Sequence, residues 1–160
     1  MMHRNQMIAL AALILALAPA CRKQAFPEVN DLNTVQISLR RTICPGNCPS
    51  YTVEILGNGA VSFEGRDDVA MPGYQHGNIS PEKIRALLDE FRKADFYSLR
   101  DNYEVDAPDK PYYTVTLTID GETKKVVDHD GARAGMPPSV TSLENAIDHA
   151  SGAERWVAGR

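Results

Sequence analysis

The chain has 160 residues, with 17 basic and 21 acidic side chains and a formal net charge of −4. No basic block or arginine-rich stripe is present, so nucleic-acid binding lacks its electrostatic footprint. Setting aside residues 1–20 leaves 140, enough for one domain with a hydrophobic core.

Residues 1–6 carry His3 and Arg4 and no acid, Met7 to Leu17 is an unbroken apolar run, and Ala18-Pro19-Ala20 offers small residues to a signal peptidase. The run falls short of the roughly 20 apolar residues that span a bilayer, so residues 1–20 read as a signal peptide. The break before Cys21 resembles the lipobox of bacterial lipoproteins, with Ala18 where that family usually has leucine and Leu17 one step further out. The resemblance implies diacylation of the Cys21 thiol, cleavage before it, and acylation of the new amino terminus by a palmitate-type chain. Two or three such chains anchor stably, at ~0.8 kcal/mol per buried methylene. Arg22 beside the cysteine then implies, in a Gram-negative cell, the outer membrane and a periplasm-facing domain. Ala18-x-Ala20 also satisfies the ordinary signal peptidase, which would release a soluble periplasmic or secreted protein from the same cut. The expected address is the bacterial cell envelope, with the membrane as a partner through the lipid.

Committing Cys21 to lipid leaves Cys44 and Cys48 as a pair. In an oxidising periplasm a close pair is expected to form a disulfide, and Pro45-Gly46-Asn47 is turn chemistry that lets the two Cβ atoms approach. Zinc is the sharper alternative, yet C-x3-C supplies two ligands where a structural site needs four. A redox-active dithiol would depart from the usual C-x-x-C spacing.

Residues 22–33 show neither helical nor strand period, so 21–33 reads as a lipidated cysteine and tether ahead of a domain over 34–157. Val35, Ile37 and Leu39 alternate with polar residues, the mark of a half-buried strand. Tyr51, Val53 and Ile55 repeat the pattern, and Gly57-Asn58-Gly59 turns the chain into Val61 and Phe63, a β-hairpin. Residues 66–79, with Pro72, Gly73 and Gly77, read as a loop. Ser80 caps a helix with Pro81 at its first position and Glu82 near its positive end. Ile84, Leu87, Leu88 and Phe91 form its buried stripe, and Phe96 and Leu99 continue the contact. After a polar loop over 100–111, Tyr113, Val115, Leu117 and Ile119 alternate with threonines, and Asp120-Gly121 closes a second hairpin into 122–127. A glycine-rich loop around Gly131 and Gly135 leads to a second helix from Pro137-Pro138-Ser139. Its predicted stripe is Val140, Leu143, Ala146, Ile147 and Ala150, and Trp156 is expected to plug the core. The order predicts a single α+β domain: about five antiparallel strands with two helices packed on one face.

The run Leu39 to Tyr51 holds an arginine before Cys-x3-Cys-Pro-x-Tyr, and the hairpin that follows ends in Phe63-Glu64-Gly65. With Ile79-Ser80-Pro81, Phe96-Tyr97-x-Leu99 and Trp156, this resembles a bacterial family of uncharacterised domains over roughly residues 35–157. That family occurs in secreted proteins and lipoproteins and has no assigned activity, so the resemblance implies a compartment and no catalytic residues.

Asp128-His129-Asp130 is the most chemical cluster, since a carboxylate beside an imidazole can bind metal or orient a base. On an extended backbone neighbouring side chains diverge, and a solvated strand end is the plainer reading. Asp101, Glu104, Asp106 and Asp109 have oxygens enough for calcium without the EF-hand spacing, and His76 reads as an exposed loop histidine. No G-x-S-x-G, H-E-x-x-H, P-loop or dinucleotide fingerprint occurs, and no cofactor is implied. The favoured expectation is a non-enzymatic envelope lipoprotein that binds a protein or another envelope component. The alternatives are a small-ligand or divalent-ion module using the 100–111 or 128–135 loops, and a hydrolase using His129 or His76.

Overall fold

Every strand that the alternation predicts buries one set of side chains in a common core. The computed structural model describes residues 25–159. It orders β1 (Gln36–Arg41), β2 (Ser50–Leu56), β3 (Ala60–Asp67), β4 (Gly73–Asn78), β5 (Asn102–Glu104), β6 (Tyr113–Ile119) and β7 (Glu122–His129) with three α-helices, α1 (Pro81–Lys93), α2 (Pro138–Ser151) and α3 (Ala153–Ala158). The seven strands form one sheet in the order β4-β3-β2-β1-β6-β7-β5. All neighbours are antiparallel except β5 and β7, which run parallel with Tyr103 opposite Asp128.

The expected five antiparallel strands and two helices are thus corrected to a mixed seven-stranded sheet and three helices. β4, read as a loop, is Gly-Tyr-Gln-His-Gly-Asn and has no apolar alternation because it is an edge strand with no fully buried residue. Backbone pairing with β3, from Ala60 opposite Asn78 to Gly65 opposite Gly73, holds it in place. β5 has three residues and buries only Tyr103, too little for a periodic signal. The antiparallel β6 lies between β5 and β7 in the chain, and β5 pairs with β7 running the same way. Gly152, in the left-handed region at φ 76°, breaks the last helix in two, so Trp156 lies on α3.

Ile37, Leu39, Val53, Ile55, Phe63, Val115 and Leu117 join Ile84, Leu87, Leu88 and Phe91 of α1 and Val140, Leu143 and Ile147 of α2 in one core. Phe63 sits between the rings of Tyr51 and Trp156, 5.2 Å from each. Ser80 caps α1 as its sequence predicts, its Oγ accepting from Lys83 N–H. Ahead of β1, Phe26, Val29 and Leu32 pack against the core, Phe26 edge-on to Tyr97 at 5.5 Å.

Gly57 permits the closest approach between this leading segment and the sheet. Its N–H donates to Val35 carbonyl at 2.8 Å, and a Cβ there would stand 1.4 Å from the Leu32 carbonyl oxygen. Backbone cannot yield as a side-chain tip can. Gly57→Ala is expected to cost about 3 kcal/mol, the upper end for overpacking, by displacing the 32–34 turn. Urea unfolding should show the loss, while Ala substitution at exposed Asn58 changes stability by less than about 1 kcal/mol.

Candidate functional site

α2 is the element that brings polar chemistry into the core. Its buried face runs Val140, Leu143, Glu144, Ile147, Asp148 and Ser151, so two carboxylates and a hydroxyl occupy stripe positions. The predicted stripe assigned Ala146 and Ala150 instead, and both are only partly buried. Glu144, Asp148 and Ser151 stand at i, i+4 and i+7, the helical spacing that marks a core face. That spacing was the available signal for these residues.

Asp148 meets Arg41, the last residue of β1, and Tyr51 of β2. Arg41 donates to Asp148 Oδ2 through Nη2 at 2.7 Å and Nε at 3.1 Å, while Tyr51 Oη donates to Oδ1 at 2.8 Å. The Arg41 guanidinium also lies 4.2 Å from the centroid of the Tyr113 ring on β6. The Arg41 and Asp148 side chains are only 13% and 10% exposed, so solvent screens the pair little. Burial pushes the Asp148 carboxyl up, and Arg41 and Tyr51 oppose that. Tyr51 is held well above the usual phenol range by burial and by the Asp148 charge.

One helical turn earlier, Glu144 is 1% exposed and its Oε1 has no hydrogen-bond partner among the described residues. Burial, with the nearby Asp128 charge adding to it and Arg41 opposing, raises its carboxyl to about 8. Asp128 is itself raised by burial, against the Gly131 N–H that donates to its Oδ1 at 2.7 Å. Gly131 makes this turn feasible, since a Cβ there would lie 2.6 Å from Asp128 Oδ1 and 2.8 Å from Met136 Sδ.

His129 faces a different partner from Asp128 and Asp130, which both border one hollow at this end of the sheet. His129 Nε2 lies 2.8 Å from the Ala107 carbonyl, and its ring stacks on Tyr112 at 3.8 Å. Asp130, left-handed at φ 53°, pairs with Arg133 at 3.0 Å. Asp128 and His129 are buried, 9% and 5% exposed, where a solvated strand end was expected. His76 is exposed on β4, at the far side of the sheet from β7, so the two candidate hydrolase histidines do not converge. In the acidic loop, Asp101 pairs with Lys124. Among the described residues no three His, Cys, Asp or Glu side chains come together to hold a metal ion.

Cys44 and Cys48 are disulfide-bonded, their Cα atoms 5.5 Å apart. The bridge closes the loop between Arg41 and Tyr51. A hollow of about 500 Å³ beside it is lined by Arg41, Cys48, Tyr51, Tyr113 and Asp148. A second, of about 260 Å³, is lined by Lys110, Tyr113, Asp128, Met136 and Glu144. Tyr113 borders both. Cys21 lies outside the described residues, and no helix of the described residues is long and apolar enough to cross a membrane.

The arginine, the second cysteine and the tyrosine of the sequence motif therefore line one hollow together with Asp148 of α2. A family profile described as Domain of unknown function (DUF6438) matches residues 35–151. The chain belongs to this family. Arg41, Tyr51, Asp128, Glu144 and Asp148 all fall within the DUF6438 span, which ends at the last residue of α2 and leaves α3 beyond it. No curated protein matches the chain.

Two stability measurements check this geometry. Arg41→Met strands the Asp148 charge in the interior and should cost about 3–5 kcal/mol in urea unfolding, whereas Arg41→Met with Asp148→Leu should recover most of that loss. Glu144 gives a pH dependence of definite sign. Its folded pKa, about 8, lies above the ordinary 4.5, so the folded state holds the proton more tightly and the stability is complete at low pH. It is lost as pH rises from about 4.5 through about 8. Glu144→Gln should flatten that slope and stabilise the protein by a few kcal/mol at pH 8.5, since each tenfold difference in proton affinity between folded and unfolded chain is worth roughly 1.4 kcal/mol.

Proposed function

We propose that this DUF6438 protein is an envelope-anchored, non-catalytic binding module, acylated at Cys21 and facing the periplasm from the outer membrane. The observation that carries the reading is the disulfide. It joins two of the chain's three cysteines to each other, which suits an oxidising compartment. It also leaves Cys21, at the end of the apolar run, as the thiol available for lipid. The polar groups around Asp148 are engaged with one another, which favours a structural role for them over chemistry on a substrate.

The surface best suited to a protein partner is the β4 edge. β4 ends the sheet, and Gly73–Asn78 contains no Asp, Glu, Lys or Arg. Natural edge strands are commonly blunted by charge or proline within them, and Tyr74 is 71% exposed here. An extended segment of an envelope protein could pair with β4 backbone, Tyr74 giving it a side-chain contact. A second reading, a small-ligand module, is favoured by the 260 Å³ hollow, because Lys110 and Asp128 bring to it the two loops singled out in the sequence.

Intact mass of membrane-extracted protein should correspond to a chain beginning at Cys21 with two or three acyl chains; an unacylated mass would sink the anchor. A photo-crosslinking residue at position 74 should capture one reproducible envelope protein, and Gln75→Pro, which removes a β4 backbone N–H and disrupts the edge, should abolish the adduct. An adduct that persists undiminished in the proline variant would remove β4 as the docking strand.

A further inference from the structure

We propose that the end of the sheet carrying the β2–β3 and β6–β7 turns rests against the phospholipid headgroups of the bilayer, held there by a leash of a few residues. This rests on the acylation of Cys21 proposed above, and it adds which face of the domain meets the membrane. The observation behind it is that the segment ahead of β1 is docked. Phe26, Val29 and Leu32 pack against the core. The Phe26 ring stands edge-on to Tyr97 and has the Arg92 guanidinium 4.7 Å from its centroid. Asp31 caps the turn over Leu32–Thr34, its side chain accepting from Asn33 N–H at 2.9 Å. The packed domain therefore begins at Phe26, well before the first strand, and the reach back to Cys21 is counted from exposed Ala25.

Ala25 lies at one end of the molecule. With Pro27, Tyr97, Ile119, Asp120 and Glu122 it borders a hollow at the β6–β7 turn. The β2–β3 turn is at the same end, since Gln36 stands opposite both Leu56 and Thr118. The disulfide loop is at the other end, where Thr42 N–H donates to the Tyr112 carbonyl at 3.0 Å. β6, running from Tyr113 to Ile119, separates the two ends by about 20 Å.

The chain from Cys21 to Ala25 reaches at most about 14 Å. An acylated Cys21 sits where hydrocarbon meets headgroups, in a headgroup layer about 5–8 Å deep. Ala25 then stands no more than about 10 Å outside that layer. A body held at one end against a wall has most room with that end down. Lying flat offers no compensating burial, because the open face of the sheet presents Arg40 and Glu54 and the outer side of α1 presents Asp89 and Lys93. Asp120 and Glu122, exposed at the near end, suit the ammonium of a zwitterionic phospholipid, and Arg22 and Lys23 of the leash suit its phosphate. Tyr74 is in register with Thr114 through Glu64, Thr52 and Arg40, which places it about 17 Å along the strands from the near end. The β4 docking strand is thereby offered to partners beyond the headgroups.

The test uses the membrane-extracted, isotope-labelled protein in nanodiscs of phosphatidylethanolamine and phosphatidylglycerol, a small fraction of the lipids carrying a gadolinium chelate on the headgroup. Paramagnetic relaxation of the amide signals then reads distance from the bilayer. With the two ends about 20 Å apart, the enhancement at Asn58 and Gly121 should exceed that at Gly46 and Gly135 by at least about fivefold. Inserting a Gly-Ser linker of about twelve residues between Gln24 and Ala25 adds roughly 20 Å of reach. The insertion should bring that ratio below about two while leaving the unfolding transition unchanged. Equal enhancement at both ends of the acylated parent chain would overturn the orientation and keep the anchor. A ratio that survives the insertion would overturn the leash as its cause and assign the orientation to adhesion by the domain itself. An unacylated mass for the extracted protein would remove the anchor and this inference together.

Discussion

The fold turns on one buried ion pair. Arg41 ends β1, and Asp148 comes from the third turn of α2, more than a hundred positions later, with Tyr51 of β2 closing the other carboxylate oxygen. Neither charge could be buried alone, because each would forfeit several kcal/mol of hydration. Together they permit a helix with carboxylates on its inner face to lie on the sheet, and they set its rotation there. Turning α2 by one residue would bring Ala146 and Ala150 inward, the arrangement simple apolar patterning favours, and would put Asp148 out of reach of Arg41.

That constraint spreads to its neighbours. The motif with the disulfide has a physical rationale: the bridge shortens the excursion between β1 and β2, so Arg41 and Tyr51 arrive on the same carboxylate. Over a loop this short the chain-entropy effect is only about 2 kcal/mol, and its larger consequence is positional. Tyr113, held under the Arg41 guanidinium, lines both hollows. Glu144 is then left one turn nearer the start of α2, buried by the same rotation but with no ion-pair partner among the described residues.

Local chemistry made much of the fold legible. The hairpins closed by Gly57-Asn58-Gly59 and Asp120-Gly121 and the Ser80-Pro81 helix start are written in adjacent residues, and alternation located four of the seven strands and the beginning of β7. β4 and β5 left no comparable trace, one because an edge strand needs no apolar face, the other because three residues are too few to show a period. The polar site was half legible. Arg41, the cysteines and Tyr51 stood out as a motif, whereas Glu144 and Asp148 fall outside the apolar stripe predicted for the second helix. Asp128-His129-Asp130 drew attention for metal chemistry, yet its members go to three different partners.

The amino-acid sequence by itself determined the α+β class, the hairpins, the capped first helix and the pairing of Cys44 with Cys48, because each depends on residues close together in the chain. Only the tertiary structure decided the parallel β5, the place of β4 at the sheet edge and the meeting of Arg41 with Asp148, since these depend on which distant elements lie side by side. The same holds for Glu144. Its raised carboxyl, and an oxygen without a partner among the described residues, are products of burial between α2 and the sheet, and burial is a property of the assembled fold.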